Sequence, residues 1–348
     1  AVRAEYAAMR ETYANTNRDT RRANLADARA NKFAGNWQDY VPPRPQFLGV
    51  KSFDGYSLAE LVERIDWTPF FQAWELAGSY PAILKDAKVG EAARNLFDDG
   101  QAMLKRIVEG KWLSPHAVIG FWPANSIGDD IELYTDDTRR ERLAVVHCLR
   151  QQMLRTEGKV NYSLADFIAP KETGVADYLG GFAVTTGHGV EKVAEEFQAA
   201  GDDYSSIMVK SLADRLAEAF AEKMHERVRK EFWGYAPDEA LDNAGLINEA
   251  YRGIRPAPGY PACPDHTEKR TLFDLLQAES NAGVELTENF AMTPAASVSG
   301  FYFSHPDSEY FGIGRIDRDQ VADYATRKGM SVPDVERWLS ANLNYERS

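Results

Sequence analysis

The fold class depends most on residues 204–233, YSSIMVKSLADRLAEAFAEKMHERVRKEFW. Five large apolar side chains recur there every four residues: Leu212, Leu216, Phe220, Met224 and Val228. Because this repeat is close to the 3.6-residue period of the α-helix, it predicts a long helix with one apolar stripe. The segments on either side of this helix decide which elements it packs against.

The segments before this helix mix strands with helices. Strands are predicted at 47–53, 116–122, 130–134, 142–148 and 178–186. An amphipathic helix is predicted at 89–110. Two shorter helices are predicted, one opened by a capping box at Ser57 and one that follows Asp66.

The segments after the helix contain a loop, a further helix and more strands. A loop rich in proline and glycine runs over 252–264, and a helix is predicted at 271–281. Strands at 284–290, 297–304 and 310–316 resemble a meander, and two short helices end the chain. Because strands and helices do not alternate strictly, we predict an α+β fold with an antiparallel or mixed twisted sheet flanked by helices.

Composition limits the possible locations and partners. The 348 residues are 44% hydrophobic, which is enough for one large domain or for two. The net charge of −13 disfavours nucleic acid and anionic membranes as partners. There is no apolar run as long as a membrane span and no signal-peptide pattern, so a cytoplasmic location is expected. The two cysteines are too few for a disulfide framework or a thiolate zinc site.

The most unusual stretch is Arg255 to Pro264, RPAPGYPACP, which contains four prolines. Since proline fixes φ and restricts the residue before it, this loop has little conformational freedom. Such a loop can present backbone carbonyl and N–H groups at fixed angles to a polar ligand. Arg255 can clamp a carboxylate, and Tyr260 offers a ring face to a cation. The alternative is a rigid connection with no ligand.

The run from Gly253 to Lys269 resembles the Arg-x-x-x-Gly-Tyr signature of the activation domain of cobalamin-dependent methionine synthases. Further blocks resemble this family in the same order along the chain: 65–71, 123–126, 216–222, 225–229, 233–235 and 299–306. The resemblance implies that residues 35–348 form one large S-adenosylmethionine-binding activation domain. Residues 1–34 resemble the helical linker from an upstream cobalamin-binding domain. Their few large apolar side chains, Leu25 among them, also predict an exposed helix or linker.

The resemblance implies a ligand site on the proline-rich loop. Arg255 would hold the carboxylate of S-adenosylmethionine. The backbone around Ala257 and Pro258 would meet the adenine, and Tyr260 would lie near the sulfonium.

The resemblance also implies site residues outside this loop. Asp66, Glu218 and Glu249 would be acidic members of the site, and Tyr310 with Phe311 would complete the pocket. From the residues alone, Glu218 fits a solvated glutamate on the polar face of the long helix, and Asp66 fits a helix cap. Carboxylates suit a ligand that carries a sulfonium and an ammonium group.

The implied function is reductive activation. The domain would bind S-adenosylmethionine and present its methyl group for remethylation of cob(II)alamin, with an electron from flavodoxin or a similar reductase. In the full enzyme, methyl groups pass from 5-methyltetrahydrofolate to homocysteine. Cobalamin would be held by the neighbouring domain, because the Asp-x-His-x-x-Gly pattern is absent here, and zinc would belong to the full enzyme only. We expect neither a catalytic residue nor a metal ligand in this chain, and we expect the fragment to lack full activity.

Two other functions are considered. The chain could be a docking module that caps the cobalamin domain and recruits the electron donor through basic residues such as Arg139, Arg140 and Arg142. A free-standing methyltransferase is the weaker alternative, because no glycine-rich dinucleotide or Rossmann-type loop is present.

Overall fold

The computed structural model describes residues 22–347, and these residues form an α+β fold around an antiparallel sheet. The strands are β1 (Gly49–Asp54), β2 (Ser114–Ile127), β3 (Asp130–Tyr134), β4 (Arg142–His147), β5 (Asp177–His188), β6 (Glu285–Leu286), β7 (Met292–Thr293) and β8 (Ser297–Tyr302). Strands β6 and β7 pair with each other, apart from the main sheet. The predicted fold class is therefore confirmed.

The helices flank this sheet. In chain order they are α1 (Leu25–Ala30), α2 (Leu58–Val62), α3 (Thr68–Ala73), α4 (Gly90–Gly110), α5 (Val190–Ala199), α6 (Asp203–Arg227), α7 (Asn243–Ile247), α8 (Glu268–Leu276), α9 (Ala278–Ala282), α10 (Arg318–Lys328) and α11 (Val332–Trp338). Short 3₁₀ turns lie at Ala82–Lys85, Leu164–Phe167, Lys171–Thr173 and Ser340–Asn342. Among the described helices, none is both long and apolar enough to cross a membrane.

The long strand β2 organises the main sheet, whose order is β4-β3-β2-β5-β8 with β1 also paired to β2. One edge of β2 pairs with β5, with Gly120 opposite Gly181. The other edge pairs first with β1 and then with β3, where Ala124 lies opposite Leu133. All these pairings are antiparallel.

Each face of the sheet carries its own core. On one face the stripe of α6 packs against β5, and four of its predicted members, Leu212, Leu216, Phe220 and Met224, are fully buried. Helices α8 and α9 cover the other face. Neighbouring residues of β5 alternate between the two cores, with Phe182 in the first and Ala183 in the second. Each buried large apolar side chain contributes about 1.5–3 kcal/mol, so α6 is firmly anchored to the sheet.

Several predicted elements differ from the structure. The predicted strand 310–316 is not a strand, because Ile313 and Ile316 bond to separate loop segments and not to a neighbouring strand. The predicted helix 271–281 is two helices, broken where Gln277 adopts a positive φ of 49°. The side chain of Ser57 makes no capping bond. The long helix ends in a π-helical turn, Val228–Phe232, in which the backbone carries one extra residue per turn.

The N-terminal segment packs more closely than predicted. Leu25 and Ala28 are buried, and Arg29 pairs with Asp129 and Asp323 at 2.7 Å each. The expectation of an exposed segment is therefore wrong at Leu25 and Ala28, whereas Ala26 and Ala30 of the same helix are exposed. The role of residues 1–34 as a linker stays a prediction. Residues 1–21 of the predicted linker lie outside the described residues.

A fully buried ion cluster centres on Arg150 beneath this segment. Its guanidinium donates to both oxygens of Asp166 at 2.7 Å, to Asp129 Oδ1 from Nε at 2.7 Å and to the Asn161 carbonyl oxygen at 2.8 Å. The Nη2 atom also lies 2.6 Å from Asp129 Oδ1. These contacts account for all five N–H groups of an arginine side chain.

Candidate functional site

A cavity of about 270 Å³ follows one face of α6. Arg215, Glu218, Ala219 and Glu222 line it from that helix, at the three- and four-residue spacing of one helical face. The other lining residues come from the segments around α3 and α7 and from the proline-rich loop: Arg64, Asp66, Pro69, Asn243, Leu246, Ile247, Glu249 and Arg255. The cavity thus brings together four of the predicted site residues: Asp66, Glu218, Glu249 and Arg255.

Arg255 lies at the inner end of this cavity, and its guanidinium is held by three groups. Nη2 lies 2.8 Å from Glu222 Oε2, and Nη1 donates to the Tyr251 hydroxyl at 2.8 Å. Nη1 also contacts His225 Nδ1 at 3.2 Å. The nearby Glu222 carboxylate favours the charged form, so the pKa of Arg255 is raised above its ordinary value although burial opposes this. Arg255 is therefore a fixed, permanent cation.

Glu222 and His225 are polar residues of α6 that the structure buries. Glu222 is 8% exposed and His225 is not exposed. Burial lowers the pKa of His225 well below its ordinary value, and Arg229 and Arg255 lower it further. The imidazole is therefore neutral, and Nδ1 accepts from Arg255. Polarity alone could not show this burial, because residues distant in sequence cover this face.

The carboxylates around Arg255 exceed the cations that could neutralise them. Arg64 pairs with Glu226 at 3.1 Å, and Arg255 pairs with Glu222. Within residues 22–347, the remaining acidic lining residues, Asp66, Glu218 and Glu249, form no ion pair, and Arg215 is the remaining lining cation. This excess of negative charge favours a cationic ligand.

Two of these acidic residues have local features of their own. Asp66 accepts a hydrogen bond from the Thr68 backbone N–H at 2.9 Å, so it lines the cavity and also satisfies the first N–H of α3, whose N-cap residue is Trp67. Glu249 adopts a positive φ of 53°, which is uncommon for a residue with a Cβ atom. Desolvation raises the pKa of Glu249, and Glu222 adds to this while Arg255 opposes it.

The proline-rich loop is held in place by backbone hydrogen bonds. Pro256 O accepts from Phe301 N at 2.9 Å, which ties the loop to β8. The Tyr260 N–H donates to Ala257 O at 3.1 Å and closes a turn. Gly259 has a φ of 95°, and any Cβ there would overlap the ring of His266, so only glycine fits. These hydrogen bonds and Gly259 define the path of the loop backbone.

The loop residues differ in their access to solvent. Pro258 is buried, Ala257 is partly exposed, and the Tyr260 side chain is 61% exposed. Glu218 is among the causes that raise the pKa of Tyr260, after desolvation. None of these three loop residues lines the cavity itself.

Tyr310 and Phe311 lie on opposite sides of their backbone. The Tyr310 hydroxyl accepts from the Arg255 N–H at 3.0 Å and lies 3.3 Å from the Tyr251 hydroxyl. Phe311 instead stacks on Tyr162, with ring centroids 5.5 Å apart. The structure thus brings Tyr310 to Arg255, whereas Phe311 packs into the second core.

The basic residues suggested for docking, Arg139, Arg140 and Arg142, differ in their contacts. Arg139 donates to the carbonyl oxygens of Ala124 and Asp177 at 3.0 and 2.8 Å, so it joins strands of the sheet. Arg142 pairs with Glu132 at 3.2 Å. Arg140 is exposed.

The described residues contain two free thiols and no metal-binding cluster. No group of three or more histidine, cysteine or acidic side chains there could hold a metal ion. Cys148 and Cys263 are buried free thiols, and burial raises the pKa of each above the ordinary value.

The fold and the cavity define an α+β ligand-binding domain whose site combines a fixed cation with several carboxylates. The chain belongs to the family of vitamin B12 dependent methionine synthase activation domains, whose model matches residues 57–329. A solved structure of the MetH reactivation domain bound to AdoHcy is 57% identical in sequence, with a TM-score of 0.90. The match covers 93% of this chain and 99% of that one. The resemblance noted in the sequence is thereby confirmed.

Proposed function

We propose that this chain binds S-adenosylmethionine in the cavity along α6. It then presents the methyl group for reductive remethylation of cob(II)alamin held by a neighbouring domain of the same polypeptide. The observation that carries the proposal is the position of Arg255 among carboxylates that form no ion pair within residues 22–347. S-adenosylmethionine has one carboxylate, one ammonium and one sulfonium, so its charges complement this arrangement. The AdoHcy bound to the similar domain supports this ligand class.

Each site residue has a proposed role. Arg255 binds the ligand carboxylate, while Asp66, Glu218 and Glu249 face its cationic groups. The cavity volume of about 270 Å³ lies below the usual range of ligand pockets, which begins at about 300 Å³. The adenine therefore extends along the loop, where the backbone of Ala257 and Pro258 meets it.

The aromatic residues complete this proposed site. Tyr260 lies near the sulfonium, and the Tyr310 hydroxyl accepts a hydrogen bond from the Arg255 backbone N–H. Phe311 is the remaining proposed pocket residue, although its ring stacks on Tyr162 and does not line the cavity.

The chemistry asks mainly for positioning. The nucleophile would be the cobalamin of the neighbouring domain after it gains one electron from the reductase. The methyl group would leave the sulfonium, and the neutral thioether S-adenosylhomocysteine would be released. This chain therefore contributes orientation and electrostatic complementarity rather than a general acid or base. The result is a methyl transfer step within a methionine synthase, with S-adenosylmethionine as the donor.

The wider setting is part of the same proposal. Residues 1–34 connect this domain to the cobalamin domain, and a flavodoxin-like protein in the cytoplasm supplies the electron. In the full enzyme the ordinary cycle uses 5-methyltetrahydrofolate and homocysteine, and zinc belongs to that part of the polypeptide.

The test is Arg255→Ala in the methionine synthase that contains this chain. Reactivation of the oxidised enzyme by S-adenosylmethionine and a reductant is expected to fail, because the ligand carboxylate loses its partner. Turnover of the methylcobalamin enzyme with 5-methyltetrahydrofolate and homocysteine is expected to stay near the wild-type rate. Equal loss of both activities would contradict the proposal.

A further inference from the structure

The orientation of Arg255 is fixed from the protein side by a buried cluster. Glu222, Tyr251 and His225 contact its Nη atoms at 2.8, 2.8 and 3.2 Å. The Tyr302 ring stacks on His225 with centroids 5.2 Å apart, and the Tyr251 ring meets His225 edge-on at 4.9 Å. An arginine side chain has several rotatable bonds, and this packing removes that freedom before any ligand arrives.

The donors that remain on Arg255 suit one carboxylate. A guanidinium has five N–H groups. Among residues 22–347, the side chain of Arg255 makes three contacts, two from Nη1 and one from Nη2. Two N–H groups are left, on Nε and Nη2, and these adjacent donors match the two oxygens of a carboxylate.

Among the three partners of Arg255, which are Glu222, Tyr251 and His225, Glu222 is the one that carries a negative charge. Its Oε2 meets Arg255, whereas its Oε1 has no hydrogen-bond partner within the described residues and lies 3.9 Å from Arg229 Nη1. Arg229 is itself neutralised by Glu239 at 2.7 Å. The Glu222 charge is therefore directed mainly at Arg255.

We propose that Glu222 is a positioning residue that holds Arg255 so that its two remaining donors meet the ligand carboxylate. This inference rests on the proposed function, because it concerns how the carboxylate of S-adenosylmethionine is bound. Glu222 acts on the ligand carboxylate through Arg255, although it also lines the cavity. Its contribution therefore depends on the ligand having a carboxylate.

The test compares two ligands by isothermal titration on the full 348-residue chain. S-adenosylmethionine has a carboxylate, and decarboxylated S-adenosylmethionine lacks it but keeps the sulfonium and the ammonium. For Glu222→Gln we expect affinity for S-adenosylmethionine to fall about tenfold. Affinity for the decarboxylated ligand is expected to change less than about twofold.

A purely electrostatic role of Glu222 predicts the opposite order. The decarboxylated ligand carries more net positive charge, so loss of a nearby anion would weaken it at least as much. Glu239→Gln is the matched control, since it removes a similarly buried carboxylate that pairs with Arg229 and does not contact Arg255. It should lower stability and leave the ratio of the two affinities unchanged.

A second variant keeps the test decisive if Glu222→Gln folds poorly. Tyr251→Phe removes the hydroxyl that accepts from Arg255 and keeps the ring that Arg229 faces at 4.2 Å. It should weaken S-adenosylmethionine alone, by about threefold. Equal weakening of both ligands in either variant overturns the positioning role. Failure of the wild-type chain to bind S-adenosylmethionine instead overturns the proposed function, and this inference with it.

Discussion

Two arginines of this domain, Arg150 and Arg255, contact carboxylates in different ways. Arg150 uses all five of its N–H groups on Asp129, Asp166 and the Asn161 carbonyl. Arg255 makes three side-chain contacts within the described residues and keeps two donors. Arg150 lies in a closed interior cluster, whereas Arg255 ends at a cavity.

The difference distinguishes an ion cluster that only stabilises the fold from one that can also bind a ligand. Removing one partner of a buried ion pair leaves an uncompensated charge, which is strongly destabilising. A saturated cluster such as that of Arg150 can therefore only hold the fold together. A cluster with open donors and an excess of carboxylates can also bind a ligand with matching charges.

The largest expected effect is on stability, from Arg150→Lys. A lysine cannot reach Asp129, Asp166 and the Asn161 carbonyl together, so we expect the free energy of unfolding to fall by about 3 kcal/mol. Urea denaturation at pH 7.5 measures this value. Arg255→Lys is the matched control and should lose less than about 1 kcal/mol, because the cavity admits water to the shorter cation. A similar loss of unfolding free energy in Arg150→Lys and Arg255→Lys would contradict the distinction between the two clusters.

A smaller effect is expected from the protonation of His225. Its lowered pKa means that the folded protein keeps it neutral, while the unfolded chain takes up a proton as pH falls below about 6.5. The stability contributed by neutral His225 is thus present above that pH and is lost below it. We expect the stability difference between the wild type and His225→Gln to shrink by about 1 kcal/mol between pH 7.5 and 5.5.

The difference between two proteins must be measured here because another group acts in the opposite direction. Burial raises the pKa of Asp177 to about 7. Its protonation therefore stabilises the fold as pH falls, and this contribution is lost as pH rises through about 7. It is common to wild type and variant and cancels in the difference. A constant difference across this range would show that His225 is not held neutral by the fold.

The smallest effect is expected at the surface, for Arg140→Glu. Because Arg140 is exposed, stability should stay within about 0.5 kcal/mol of the wild type, and S-adenosylmethionine affinity should not change. Denaturation and titration measure both. Binding of oxidised flavodoxin to the same variant tests the docking hypothesis. Weaker binding would support docking at this surface, and unchanged binding would exclude Arg140 from it.

The sequence allowed the regular parts of the fold to be predicted. The apolar stripe of α6 and the strands β2 to β5 lie close to the predicted positions, because each has a local pattern that its packing follows. The strand predicted at 310–316 was wrong because the backbone of this segment makes single hydrogen bonds to separate loops and does not pair with a neighbouring strand. Ile316, for example, exchanges hydrogen bonds with Asn342 and Asn344, so no ladder forms.

The site was predictable only in part. The resemblance selected Arg255, Asp66, Glu218 and Glu249, which share one cavity. It did not select Glu222, although this residue contacts Arg255 directly. Glu222 looks like a solvated glutamate by helical spacing, and only the long-range packing of the segment before Arg255 against α6 buries it.

The central claim is that Arg255 binds the carboxylate of S-adenosylmethionine in the cavity along α6. Isothermal titration of S-adenosylmethionine into the wild-type chain, Arg255→Ala and Arg140→Glu tests it most directly. We predict saturable one-to-one binding by the wild type and Arg140→Glu, and a loss of at least about 30-fold in Arg255→Ala. Wild-type affinity in a folded Arg255→Ala protein would contradict the account.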